Sequence, residues 1–146
     1  MHTYLPYMNF AKCAKVLEPA ELRESIETVV KVFDVLHETP GVRITHTRRH
    51  PAVALWRGHE TWLHLYGATL LEESPRVKSA WRLAAEENLA KHLDWFTSGS
   101  FSMEPPLWLG EERFHDFQRA ALMYRDPDAY CPKFPGTKFR GEDLYG

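Results

Sequence analysis

The stretch that decides the fold is Glu18-Pro19-Ala20-Glu21-Leu22-Arg23-Glu24-Ser25-Ile26-Glu27-Thr28-Val29-Val30-Lys31-Val32-Phe33-Asp34-Val35-Leu36-His37. Leu22, Ile26, Val29, Phe33 and Leu36 recur at steps of four and three, which puts one apolar stripe along a helix. Pro19 suits the first helical turn, where its missing N–H costs nothing. Pro40-Gly41 stops the pattern. Glu18, Glu21, Glu24 and Glu27 form a second row at three-residue spacing. It reads as a solvated face whose first acids favour the helix dipole.

Working outward, Phe10 to Val16 suits a short helix, and residues 41–50 read as a basic loop. Val42, Ile44 and Thr45 allow a short extended piece there. Pro51 opens a further helix, expected to run over 51–72 with Val53, Trp56, Leu63, Tyr66 and Leu70 on one face. Gly58 falls inside it, at a cost of about 1 kcal/mol against alanine. Ser74-Pro75 reads as cap and first turn of a helix over 75–97. Its buried side is expected to hold Val77, Trp81, Ala84, Leu89, Leu93 and Phe96. Ser98-Gly99-Ser100 reads as a loop. A last helix is expected near Glu111 to Tyr124, stopped by Asp126-Pro127, and the tail from Cys131 reads as irregular chain packed on the body. The expectation is an all-α fold in a single domain over residues 1–146.

Eighteen Lys and Arg stand against twenty Asp and Glu, a formal charge of −2. That balance does not favour sequence-independent DNA binding, which needs several phosphate-neutralising cations. Thr47-Arg48-Arg49-His50 is the best local basic patch. No apolar run is long enough to span a bilayer, and the first residues lack a signal-peptide pattern, so a cytoplasmic protein is expected. Cys13 and Cys131 read as two reduced thiols. The eight histidines form no HExxH pattern and no close Cys/His cluster, so neither a metal nor another cofactor is expected. A phosphate-binding glycine loop and a GxSxG elbow are both missing.

The densest functional candidate is Trp56-Arg57-Gly58-His59-Glu60, which gathers a guanidinium, an imidazole and a carboxylate around a glycine. On helical spacing Arg57 and Glu60 share a face while Trp56 points inward. A surface ion pair over a buried tryptophan is the alternative. His115 and Arg119, four apart, face one cleft or a solvated helix side.

These residues resemble a family. Thr3-Tyr4-Leu5-Pro6-Tyr7 with Phe10, Ala14 and Val16-Leu17 looks like the start of bacterial and phage proteins related to the pyrimidine-dimer DNA glycosylases of the endonuclease V type. His50-Pro51-Ala52-Val53, Leu55 to Glu60 and Tyr66-Gly67 are similar to the family's second helix. Pro106 to Gly110, Phe114-His115, Arg119, Leu122, Asp126-Pro127 and Tyr130 follow in order. The resemblance implies a compact helical fold that flips a nucleotide out of the stack. It also implies an N-terminal amine that attacks the sugar C1′, assisted by a helix glutamate. An α-amine titrating near 7.7–8 is partly nucleophilic at neutral pH. Here that amine belongs to Met1, since the bulky His2 discourages removal of the methionine.

The departures bear on chemistry. Relatives carry an Arg-Leu-Gly-Lys-Gln-Arg-Val-Glu-like helix where this chain has acids. Ungapped alignment puts Ile26 at an arginine position and Thr28 at the catalytic glutamate. Glu27 replaces that glutamate only if the helix shifts by one residue, a turn of about 100°. A His-x-Ser-His-Arg-like run is here His115-Asp116-Phe117-Gln118-Arg119. The expected catalytic candidates are therefore Met1 and Glu27. The expected ligand contacts are Tyr4, Tyr7, His50, Arg57, His59, Glu60, Trp108, His115 and Arg119, converging on one cleft. The expected partner is a nucleotide or nucleic acid, with no membrane. Three functions stay open: a nucleotide-binding protein with altered catalysis, one form of which is a phage type that sequesters a nucleotide signal; an active N-glycosylase and lyase; and a protein-interaction module.

Overall fold

A computed structural model describes residues 1–38, 41, 43, 48–74, 79–97 and 103–145, with the side chains of 93–97 left aside. The described residues form helices and no strand: α1 (Phe10–Val16), α2 (Pro19–His37), α3 (Pro51–Trp56), α4 (Glu60–Glu73), α5 (Ala80–Thr97), α6 (Glu112–Arg125) and α7 (Pro127–Tyr130), then a 3-10 turn at Cys131–Lys133. None of these helices is long and apolar enough to cross a membrane.

α2 is the centre of the fold, in contact with α3, α4 and α5. Its stripe is buried as the spacing predicts, with Ile26, Val29, Val32 and Phe33 fully enclosed. Pro19 occupies its first turn. It ends at His37, where Glu38 turns left-handed at φ 49°. That position precedes the expected stop at Pro40-Gly41. α4 crosses α2 so closely that a Cβ on Gly67 would lie 2.9 Å from Val29 Cγ1. The glycine is there because the two backbones nearly touch.

The helix expected over 51–72 is broken. α3 stops at Trp56, Gly58 sits at φ +85°, and α4 begins at Glu60. A left-handed residue cannot continue a right-handed helix, and only glycine adopts it without cost. Both pieces still bury the expected residues: Val53, Trp56, Leu63, Tyr66 and Leu70. The break changes direction without losing the apolar face.

The helix expected from Pro75 runs from Ala80, and residues 75–78, with Pro75 and Val77, lie outside the described residues. Its inward face holds Leu89 as expected but Ala85 in place of Ala84, and the side chains of Leu93 and Phe96 lie outside the described residues. Ala85, Leu89 and His92 are buried, whereas Ala84 is exposed and Trp81 only partly covered. The placements expected for Val42, Ile44, Thr45, Thr47 and residues 98–100 also lie outside the described residues. Arg48, from the basic patch, bonds to the Leu36 carbonyl and pairs with Glu38 at 3.6 Å. Cys13 and Cys131 are free thiols, and burial pushes Cys13 up to about 12.

Candidate functional site at the N-terminal segment

The first seven residues are not helical, yet Thr3, Tyr4 and Leu5 are buried. Buried backbone polar groups need partners, and side chains from the surrounding helices supply them. Tyr4 N–H donates to Ser25 Oγ at 3.2 Å, and Leu5 N–H to Gln118 Oε1 at 3.2 Å. Tyr66 donates its phenol to the Tyr4 carbonyl at 2.6 Å. Trp56 Nε1–H donates to Thr3 Oγ1 at 2.9 Å. His115 Nε2 accepts from Gly110 N–H at 2.9 Å, which leaves Nδ1 to donate to the Leu5 carbonyl at 2.8 Å. Arg119 donates to the Pro6 carbonyl at 2.8 Å and to Thr137 Oγ1 at 2.9 Å, and pairs with Glu112.

His115 and Arg119 are therefore 2% and 9% exposed clamps on the segment rather than residues of a solvated face. Trp108 backs the same frame. It donates to the Leu55 carbonyl at 3.3 Å and meets Trp56 edge-on, with ring centres 5.0 Å apart. Tyr7 is partly covered, with the Arg119 guanidinium 5.7 Å from its ring centre.

The acidic row of α2 is not a solvated face either. Glu21 is buried; it accepts from the Tyr130 phenol at 2.6 Å and lies 3.5 Å from Arg125. Glu24 accepts from the Tyr4 phenol at 3.1 Å and pairs with Arg125 at 3.1 Å. Lys133 holds Glu18 at 2.7 Å. Glu27 differs, being paired with Arg23 at 2.6 Å on the helix surface. Ile26 is fully buried, and Thr28 turns its hydroxyl onto the Glu24 carbonyl at 2.7 Å.

Glu24, Arg125, His2 and Tyr145 thus surround the start of the chain, and the sequence reading named none of them as site residues. The available signal was periodic: Glu21, Glu24, Ser25 and Thr28 follow helical three- and four-residue steps, so they share one face. Which partner meets that face is a long-range matter. Burial lowers the His2 imidazole below its usual value, helped by the α-amine, while Glu24 works in the other direction. Arg125 and His50 also lower it, so His50 lies within electrostatic reach. Burial and the Glu24 carboxylate push the Tyr4 phenol up. A cavity of about 180 Å³ opens here, lined by His2, Tyr4, Ala121, Tyr124, Arg125, Asp143 and Tyr145.

The other candidates sit at the α3–α4 break. Arg57 is exposed, Gly58 N–H donates to Glu60 Oε1 at 3.2 Å, and His59 Nδ1 is buried without a hydrogen-bond partner among the described residues. His50 caps α3, its Nδ1 accepting from Ala52 N–H at 3.2 Å. Among the described residues no hydrogen bond or ion pair joins Arg57, His59 or Glu60 to His115 or Arg119.

A buried N-terminal segment held by six side chains, inside an all-helical body, defines a protein built to fix the position of its own first residues. The chain belongs to the pyrimidine dimer DNA glycosylase family, whose model matches residues 1–76. Comparison with curated proteins gives no match, and comparison with solved structures gives none. The matched half holds the N-terminal segment, α2 and the α3–α4 break.

Proposed function

We propose that this chain binds a nucleotide or a single nucleobase in the cleft beside its N-terminal segment and has lost base-excision chemistry. The observation that carries the proposal is the state of the carboxylates there. Glu24 is engaged by both Tyr4 and Arg125. Glu21 is engaged by Tyr130 and Arg125. Thr28 stands where the resemblance expects the assisting glutamate, and it has no carboxylate to offer. A Schiff-base lyase needs a group that can accept and return protons beside the amine. A carboxylate whose oxygens are already engaged by a guanidinium and a phenol must give up those partners before it can serve the amine. Glu27, the sequence candidate, pairs with Arg23 instead. The Met1 amine remains the nucleophile to be tested.

Binding is supported by the aromatic and cationic lining of the cleft. Tyr124 and His2 offer ring faces beside the buried Tyr4, and Arg125 a planar donor fork. Tyr7, Trp108, His115 and Arg119 serve the ligand indirectly, by holding the segment. Arg57, His59 and Glu60, with His50, are proposed to meet the sugar-phosphate portion at the helix break. Glu24 and the exposed Asp143 at the cleft oppose the many phosphates of a duplex, which favours a free nucleotide over DNA. A protein that holds a nucleotide without converting it has the property needed to sequester a nucleotide signal.

Borohydride trapping on abasic DNA tests the loss of chemistry, and mass analysis of ligand released on denaturation tests the binding. We expect no covalent adduct and a co-purified or thermally stabilising nucleotide. An adduct through the Met1 amine, at the level of an authentic lyase, would refute the loss and make Glu24 the acid to mutate first. Absence of any nucleotide-induced stabilisation would leave an interaction module as the better reading.

A further inference from the structure

The end of the chain returns to its beginning. Residues 138–143 are all exposed, yet Tyr145 just beyond them is fixed. Its phenol donates to Gln118 Oε1 at 2.8 Å. Its ring stacks on His2 with centres 4.1 Å apart and an interplanar angle of 29°. Phe117 and Tyr4 meet it edge-on at 5.7 and 6.3 Å. Besides this ring, the stretch is tied down by the exposed Arg140 and the partly exposed Asp116 at 3.4 Å. Exposed pairs of that kind contribute about 1 kcal/mol or less. A segment with so few buried contacts opens at little cost.

The adjoining cavity has the dimensions of a site that is partly filled. At about 180 Å³ it falls below the roughly 300–1,000 Å³ common for small-molecule sites. Two of its walls, Asp143 and Tyr145, belong to the tail. Moving the tail would enlarge the cavity and bare the face of His2.

We propose that the slot bounded by His2, Tyr4, Phe117 and Gln118 is a subsite for the planar ring of a nucleobase, and that Tyr145 is its resident occupant, displaced when a base enters. The proposal rests on the nucleotide-binding reading above and names how the ring is held. Each contact Tyr145 makes has a counterpart on a base. The ring face replaces the phenol ring on His2, since every base offers a π-face. Gln118 Oε1 accepts an amino or ring N–H group where it now accepts the phenol O–H. Arg125, with a side chain 46% exposed, can donate to a keto oxygen or ring nitrogen across the cavity. Bases carrying an N–H donor at the edge that reaches Gln118 are therefore preferred over those that present only acceptors there.

The test measures binding of cytidine, adenosine, guanosine and uridine to the full chain by calorimetry, in wild type, Tyr145→Ala and Tyr145→Phe. Limited trypsin digestion at Lys138 and Arg140 of the wild type is followed with and without each nucleoside. Tyr145→Ala should bind at least one nucleoside ten-fold or more tightly than wild type, and Tyr145→Phe should stay near wild type because it keeps the ring. The same nucleoside should speed cleavage at Lys138 and Arg140 in the wild type. Equal or weaker binding by Tyr145→Ala, or unchanged cleavage under saturating nucleoside, overturns the displacement. If the wild type binds under those conditions, the nucleotide-binding reading survives alone. No nucleoside binding to any of the three proteins overturns the displacement, and no binding of the corresponding 5′-monophosphates either overturns both.

Discussion

Arg119→Ala should damage the fold itself, and the size of the loss follows from what the guanidinium holds. Its two well-formed hydrogen bonds reach the Pro6 carbonyl at 2.8 Å and Thr137 Oγ1 at 2.9 Å, in a site only 9% exposed. Hydrogen bonds to a charged group contribute about 1.5–3 kcal/mol each, and an acceptor left dry keeps its desolvation penalty. The Glu112 partner is 79% exposed and adds about 1 kcal/mol or less. The expected loss is about 3–5 kcal/mol. At roughly 2–4 °C per kcal/mol for a chain near 150 residues, the melting temperature should fall by roughly 6–20 °C. Urea denaturation followed by tryptophan fluorescence gives the free energy, and calorimetry the melting temperature. Arg119→Lys keeps a charge but not the fork, so it should fall between wild type and alanine. Arg57→Ala, at an exposed position, should stay within about 0.5 kcal/mol. An Arg119→Ala protein within about 1 kcal/mol of wild type, or one no worse than Arg57→Ala, would refute the clamp.

Tyr66→Phe removes the donor to the Tyr4 carbonyl and should cost about 1–3 kcal/mol, read from chemical denaturation. Gly67→Ala should cost a similar amount by pressing on Val29 Cγ1, and adding Val29→Ala should restore part of it in a double-mutant cycle. Gly58→Ala has open space around the new Cβ, so its loss of about 1–2 kcal/mol is backbone strain at φ +85° that no neighbouring truncation repairs. Stability should also fall in acid through His37 and His92, whose Nδ1 atoms lie 2.7 Å apart between α2 and α5. Burial lowers both imidazoles, His92 to about 4, with His37 lowering it further. The unfolded chain then binds more protons than the folded one below pH 6.5, so the contribution is full above 6.5 and lost as pH falls towards 4. Denaturation midpoints over that window should drop less steeply in His92→Gln; an unchanged slope would show that the pair is not responsible.

Much of the fold was legible because helical periodicity is a local signal. The stripe of α2 and the apolar residues of α3 and α4 were all readable from spacing. Gly58 was visible as an oddity, but spacing alone gave it a propensity cost inside one helix. The apolar face runs on across the break, so the pattern carries no trace of the change in direction. The exchange of Ala84 for Ala85 on the inward face of α5 has a similar origin, since the two are equivalent by composition and only packing against α2 and α4 separates them.

The candidate site was legible only in part, since no local signal marked His2, Glu24, Arg125 and Tyr145 as site residues. Among the motif residues Trp56 and Tyr66 read as core, whereas His115 and Arg119 stand out by type and read as ligand contacts. In the fold the four satisfy the carbonyls of Tyr4, Leu5 and Pro6 and the Thr3 hydroxyl. Glu21 and Glu24 stand out less, because acids on a helix are usually solvated, yet Tyr4, Tyr130 and Arg125 cover them.

The sequence by itself determined the helical class, the buried faces of α2 to α4 and the family, because apolar spacing and ordered motifs are properties of the chain read in line. Only the tertiary structure decided that the first seven residues are the object the helices enclose, and that Tyr145 lies against His2. Several of those pairings join residues more than a hundred positions apart, such as Leu5 with Gln118 and His2 with Tyr145. No local preference encodes a contact at that separation. It follows from where the packed helices leave backbone groups that must find partners.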